Sequence, residues 1–366
     1  MAVRVEQRDL LADTTVFPIG FHWDITEACN FRCNFCLTNS GKRAPNELSY
    51  SQKRELIDRL FTLGVIFIRI LGGEPLLPRD TIKVMEYAVS RGMQLAFSTN
   101  GSLLTEETVS RLAGIKRGIR YIQVSIYGSS PATMAETTRT KGQFDKVRHG
   151  MELLNEHEMP FTVLSVLCQE NMHDIIPTYR YAKSMGAENF KLVPKSDTGR
   201  GREDNSFRYI RDKAEWSYFV EILRQLAELQ NQGGPPVFFQ ARPLFGQYIQ
   251  DNFGIAYYHS LCEGGVHYLY GNASGQLAPC PFLKNIDLSY VKNPVGEFPY
   301  NALEDNLLEV WDSAEFNYFR RLFKLEKNAE YFNENCPYLR NGECRPCILT
   351  GCQCLPYIRR VKYALG

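Results

Sequence analysis

Along the first half of the chain, short runs of β-branched and aromatic residues alternate with longer stretches in which apolar residues recur at helical spacing. Residues 21–26, 65–71, 94–98, 121–126, 161–167 and 189–193 are predicted strands. The stretch 51–63 is a predicted helix with Leu56, Ile57, Leu60, Phe61 and Leu63 on one face, and further helices are predicted over about 79–91, 105–112, 144–157 and 174–185. Strand then helix, repeated six times, predicts parallel strands joined by right-handed crossovers, and the mostly continuous apolar strands predict cover on both faces. The fold class is therefore α/β, a partial (β/α)6 TIM-like barrel. Such folds gather their chemistry at the C-terminal ends of the strands.

Beyond the barrel the pattern changes. The polar stretch 195–205 reads as loop, 213–230 as helix, and a second region begins near Pro235. From Cys262 onward the chain is cysteine-rich with turn signals. Gly271-Asn-Ala-Ser-Gly275 lies between two short apolar runs and predicts a β-hairpin, and short helices are predicted near 307–311 and 316–325. The chain thus divides into an N-terminal extension (1–20), the barrel (21–234) and a small cysteine-rich domain (235–366), with no internal repeat.

Composition narrows the function. Among 366 residues, 42 basic side chains nearly balance 41 acidic ones, so no field of one sign draws in nucleic acid or an anionic membrane. The N-terminus lacks an apolar signal region, and no later run is long enough to span a bilayer, which predicts a cytoplasmic protein. Eleven cysteines in such a chain point to metal binding rather than to a disulfide framework. The six histidines show no metal or triad spacing, and His22 reads as a core or lining residue.

Cys29, Cys33 and Cys36 form a C-x3-C-x2-C triplet directly after the first strand, at the active end of the barrel. Three thiolates are one too few for a tetrahedral site, so either a distant residue completes a zinc site or an iron-sulfur cluster keeps one iron open. Gly72-Gly-Glu-Pro75 follows the second strand. Triplet, Gly-Gly-Glu-Pro segment and barrel order together resemble the radical S-adenosylmethionine (SAM) superfamily. That resemblance implies a [4Fe-4S] cluster on the three cysteines, with the amine and carboxylate of SAM on the open iron. It also implies that Gly72, Gly73, Glu74 and Pro75 serve the SAM amine, the glycines letting backbone approach the ligand, and that Phe35 contacts the adenine. Ser98-Thr-Asn-Gly101 resembles a polar turn near the ribose, which makes Ser98 and Asn100 cofactor candidates, or else is simply a turn suited to asparagine and glycine. Ser125 and Arg139 are similar to the serine and arginine that bind the SAM carboxylate. Tyr127-Gly128 stands where many relatives carry Asp-Gly.

Seven further cysteines, Cys262, Cys280, Cys336, Cys344, Cys347, Cys352 and Cys354, resemble the SPASM or twitch extensions that hold auxiliary iron-sulfur clusters. By that likeness Cys262, Cys280, Cys352 and Cys354 hold one cluster, and Cys336, Cys344 and Cys347 belong to a second that lacks a fourth cysteine. The chain then has one or two auxiliary clusters. A zinc ribbon is the alternative reading of the C-x2-C pair. Cys168 ends the fifth strand and reads as core, with a catalytic thiol as the alternative.

The leading functional expectation is a radical SAM oxidoreductase or maturase. It makes a 5′-deoxyadenosyl radical and oxidatively modifies a ribosomally made peptide. About twenty residues precede the first strand, so a separate leader-binding protein or direct docking would present the peptide. A flavodoxin- or ferredoxin-type protein would supply electrons. The alternative substrate is a small molecule, a tetrapyrrole carboxylate, sugar or nucleoside. Phe190–Pro194 and Gly199-Arg-Gly-Arg202 resemble a segment of heme-pathway decarboxylases, and Arg200 and Arg202 would engage an anion or lie in a solvated loop. A non-catalytic iron-sulfur carrier is the third reading.

Overall fold

The computed structural model describes residues 15–196, 199–203, 212–241, 243–258, 264–281, 283, 298–322, 358–359 and 361–362. The first half alternates strand and helix in the predicted order: β1 (Gly20–Asp24), α1 (Tyr50–Leu63), β2 (Phe67–Leu71), α2 (Thr81–Ser90), β3 (Gln94–Thr99), α3 (Glu106–Gly114), β4 (Ile119–Ser125), α4 (Pro131–Thr138), α5 (Phe144–Glu156), β5 (Phe161–Leu167), α6 (Ile175–Ser184) and β6 (Asn189–Pro194). Then follow α7 (Arg200–Glu203), α8 (Lys213–Asn231), β7 (Val237–Gln240), α9 (Pro243–Phe253), β8 (Ala256–Tyr258), β9 (Tyr268–Gly271), β10 (Leu277–Ala278), α10 (Leu307–Trp311) and α11 (Ala314–Leu322).

Local chemistry explains the element ends. Ser49 and Gln52 form a reciprocal capping box at the start of α1, and Gly64 closes it at φ 100°, a left-handed conformation that suits glycine. Ser130 caps α4 immediately before Pro131 at its first position. In α8, Trp216, Phe219, Val220, Leu223, Leu226 and Ala227 recur at helical spacing and are buried. Each large apolar side chain among them contributes about 1.5–3 kcal/mol by leaving water. Phe61, expected on the buried face of α1, is exposed instead, and Arg91 stacks over its ring at 4.6 Å.

One ten-stranded sheet runs β10-β9-β1-β2-β3-β4-β5-β6-β7-β8, with every neighbouring pair parallel except the β9–β10 hairpin. The predicted six strands are its centre, and the sheet continues through β7 and β8 on one side and β9 and β10 on the other. The order is open, so the barrel is partial. Cover on both faces holds for the middle of β3 (Leu95, Ala96, Phe97) and of β4 (Ile122, Gln123, Val124), where consecutive residues are buried, and weakens at β5. Along β5, buried Phe161, Val163, Ser165 and Leu167 alternate with half-buried Thr162, Leu164 and Val166. One face lies under the helices, and the other lines a lumen that the open order leaves partly accessible. Among the described residues no helix is long and apolar enough to cross a membrane.

His22 lies mid-strand on β1, its ring 4.6 Å from that of Tyr268. Burial, then the charge of Arg69, lowers its pKa from 6.5 to about 3. The fold therefore holds a neutral imidazole where the unfolded chain takes a proton, and stability is lost as pH falls from 6.5 toward about 3. Urea unfolding of wild type and His22→Asn should diverge across that window, wild type losing up to about 1.4 kcal/mol more per pH unit. Parallel curves would contradict the assignment.

Candidate active site

The chain leaves β1 into a loop that carries all three cysteines, and the loop is held from many sides. The Glu47 carboxylate, only 1% exposed, accepts from Thr26 Oγ1 at 2.9 Å, from the backbone N–H of Glu27 at 2.8 Å and from that of Ala44 at 3.1 Å. Cys29 N donates to Gly41 O at 3.0 Å, and Gly41 N to Glu27 O at 2.9 Å, closing the loop on itself. Arg32 N and Asn34 N donate to Thr138 O and Thr137 O. Those are last-turn carbonyls of α4, which the helix itself leaves unpaired.

The segment after β2 packs backbone to backbone against this loop. Gly73 N donates to Thr26 O and Glu74 N to Ala28 O, each at 2.8 Å. A Cβ on Gly72 would overlap Thr26 O, and one on Gly73 would overlap Ala28 O. In the structure the two glycines make room for the cysteine loop. Glu74 is fully buried and accepts from Thr99 Oγ1 at 2.7 Å, Asn100 N at 2.7 Å and Leu76 N at 3.1 Å. Its carboxylate therefore braces the turn after β3. Burial outweighs these hydrogen bonds and raises its pKa to about 7. Pro75 is buried beside it.

Cys29, Cys33 and Cys36 are half-buried and unbridged. Burial raises the Cys29 thiol to about 11 and Cys33 higher still, where the charges of Cys36 and Cys29 add to the effect. Three thiolates here need a strong positive centre beside them. Among the described residues, no three Cys, His, Asp or Glu side chains converge as the ligands of a single ion would. In a cluster each cysteine would take a separate iron.

The other candidates divide. Ser98 accepts from Gln123 Nε2 at 3.2 Å, and Ser125, the last residue of β4, is half-buried and bonded to Tyr127. Arg139 follows α4 in the left-handed region at φ 50° and is exposed, one residue after the carbonyl that holds Arg32. The Asn100 carboxamide is turned onto protein. Its Nδ2 donates to Asn30 Oδ1 at 2.8 Å, and its Oδ1 accepts from Ser102 N at 3.0 Å and Ser102 Oγ at 2.7 Å. Phe35 is buried, its ring 4.6 Å from Tyr127 in an edge-on pair, and Cys168 completes that cluster. Cys168 is fully buried, its Sγ 3.3 Å from Asn171 Oδ1, and burial, then the Glu170 charge, push its thiol well up. It is a protonated packing thiol and a poor nucleophile. Cys280 is buried just after β10; Cys262, Cys336, Cys344, Cys347, Cys352 and Cys354 lie outside the described residues.

Sequence spacing missed the residues that hold the loop: Glu47, Asn30 and Arg200. Asn30 Nδ2 reaches Ser102 Oγ at 2.8 Å. Arg200, expected to meet a substrate anion or solvent, instead donates from Nε to Cys33 O at 2.8 Å; Arg202 lies on α7. Within the lumen, Arg69 of β2 and Lys191 of β6 flank the ring of Tyr121 at 5.9 and 5.8 Å. Arg69 Nε is buried and has no hydrogen-bond partner among the described residues, and burial, then the Arg69 charge, lower the pKa of Lys191. Two basic side chains thus flank Tyr121.

The backbone seat yields a sharp test. Gly73→Ala forces Ala28 away and should weaken iron retention at the triplet about tenfold or more, measured as release to a chelator. Wild-type retention would show that the contact does not matter.

Residues 23–182 match the Radical SAM superfamily. The chain is 25% identical to the AdoMet-dependent heme synthase of Methanosarcina barkeri, over 93% of each protein. It is 26% identical to the antilisterial bacteriocin subtilosin biosynthesis protein AlbA of Bacillus subtilis, over 94% of this chain and 70% of AlbA. Among solved structures, Streptococcus suis SuiB bound to its precursor peptide SuiA superposes with a TM-score of 0.66 at 19% identity, over 84% of this chain and 68% of SuiB, a likeness of fold. With its three-cysteine loop seated on Gly-Gly-Glu-Pro at the mouth of a partial barrel, the segment 23–182 is a radical SAM domain, the kind of enzyme domain whose cofactors are a [4Fe-4S] cluster and SAM.

Proposed function

We propose that the chain oxidatively modifies a ribosomally made peptide, beginning with removal of a hydrogen atom by a radical made from SAM. One observation carries the radical chemistry: three half-buried thiols sit on a loop whose backbone is locked to Gly72–Glu74 at the C-terminal end of the sheet. In this reading Cys29, Cys33 and Cys36 hold the cluster, and the backbone of Gly72–Glu74, with Pro75 behind it, borders the SAM amine. Ser125 and Arg139 serve the SAM carboxylate and Ser98 the ribose, while Phe35 and Asn100 position the loop from beneath. When bound, the cluster and SAM supply a 5′-deoxyadenosyl radical at this mouth. The surrounding side chains exclude water and orient the substrate C–H bond.

The peptide substrate is supported by the bacteriocin biosynthesis protein, whose similarity runs through 94% of this chain. The seven later cysteines would hold one or two auxiliary clusters that take up the electron left after hydrogen removal, making the modification a net oxidation. A flavodoxin- or ferredoxin-type donor would supply the first electron, and a separate leader-binding protein would present the peptide. A second reading has a specific observation behind it. The lumen cations Arg69 and Lys191 suit a small carboxylate-bearing molecule, in keeping with the heme synthase matched over 93% of both chains.

Anaerobically reconstituted protein with SAM and a strong reductant should release 5′-deoxyadenosine, and Cys33→Ser should bring it to background while the folded chain is retained. Loaded, reduced wild type that makes none would overturn the enzymatic reading. Deuterium carried into 5′-deoxyadenosine from a labelled peptide, and not from a labelled tetrapyrrole carboxylate, would decide for the peptide; the converse would decide for the small molecule.

A further inference from the structure

Gly199 and Arg200, which follow β6, close on the cysteine loop. Gly199 adopts φ 56°, and a Cβ there would overlap the carbonyl oxygens of Cys36 and Leu37. Arg200 then donates its backbone N–H to Cys36 O at 3.0 Å. Its guanidinium forks across the same segment: Nε reaches Cys33 O at 2.8 Å, and Nη1 reaches Ser40 O at 2.8 Å and Asn39 Oδ1 at 3.0 Å. One residue thus gathers the stretch from Cys33 to Ser40, which carries two of the three thiols. The stretch needs gathering, because Asn39 is held at φ 54°, a left-handed conformation that costs energy outside glycine. A planar guanidinium meets several carbonyls in fixed directions, whereas a lysine ammonium would meet them only as a point charge.

We propose that Gly199 and Arg200 form a clasp that sets the ligating conformation of the cysteine loop, and that the fixed charge of Arg200 stabilises the reduced, more negative state of the cluster. The proposal rests on reading Cys29, Cys33 and Cys36 as the cluster ligands. Arg200 is a positioning residue in this account: its contacts are to the backbone and side chains of the loop, and it acts through them. Reduction potentials of such clusters follow the charge and hydrogen bonding around the ligands, and partners behind the ligands control retention of the metal.

The test uses the full chain, reconstituted, as wild type, Arg200→Gln, Arg200→Lys and Gly199→Ala. Electron paramagnetic resonance isolates the relevant cluster as the signal that shifts when SAM is added. Two quantities are read from it: its rate of loss to a chelator and its midpoint potential. Arg200→Gln should lose the signal about tenfold or more faster and titrate at a lower potential. Arg200→Lys should lose it faster while keeping the potential near wild type, and Gly199→Ala, which retains the arginine, should do the same. Variants at Arg200 that match wild type in both rate and potential would overturn the clasp. A wild type with no SAM-responsive signal would instead overturn the ligand reading beneath it.

Discussion

The backbone of Gly72–Glu74 lies directly against the backbone of Thr26–Ala28, joined by two hydrogen bonds of 2.8 Å, and side chains on the two glycines would forbid the approach. Much of the site depends on that seat. A loop that must place three thiols for one cluster pays a large conformational entropy if it is free. Here part of that cost is offset by the protein itself, because the loop's carbonyls are bonded to the next strand's exit. Gly73 and Glu74 spend their N–H groups on the protein, and Glu74 passes the constraint on to the turn after β3 through Thr99 and Asn100.

Seen from the loop, the successive strand exits contribute in order. The segment after β2 seats its start, and Asn100 and Ser102 after β3 hold Asn30. The end of α4, beyond β4, accepts from Arg32 and Asn34. Phe35, Tyr127 and Cys168 form a small apolar floor from the exits of β1, β4 and β5. Arg200, beyond β6, closes the last part. This preorganisation is what radical chemistry requires, since a misplaced radical attacks whatever lies nearest. It also explains why several polar groups at the mouth face protein: they fix the loop and leave its thiols for the cofactor.

Much of this architecture was legible in the sequence, for physical reasons. The six central strands are apolar enough to stand out between helices with clear one-sided patterns. The cysteine triplet and Gly72–Pro75 are local patterns, so spacing alone exposes them. What escaped was either short or distant. Strands β7 and β8 have four and three residues, and α4, rich in threonine and alanine, offers little apolar periodicity. Glu47 reaches Thr26 across 21 positions, and Arg200 reaches Cys33 across 167; no periodicity encodes such pairings. The contact that Gly72 and Gly73 make with Thr26 and Ala28 escaped for a related reason. Sequence shows that a Cβ is absent and cannot show which neighbour fills the space.

In the proposed function the triplet cluster keeps one iron for the amine and carboxylate of SAM. Electron-nuclear double resonance on the reduced protein with SAM labelled by nitrogen-15 at its amine and oxygen-17 at its carboxylate measures this directly. Both labels should couple strongly to the cluster, and the coupling should be lost in Cys33→Ser. A loaded, reduced cluster showing coupling to neither label would contradict it.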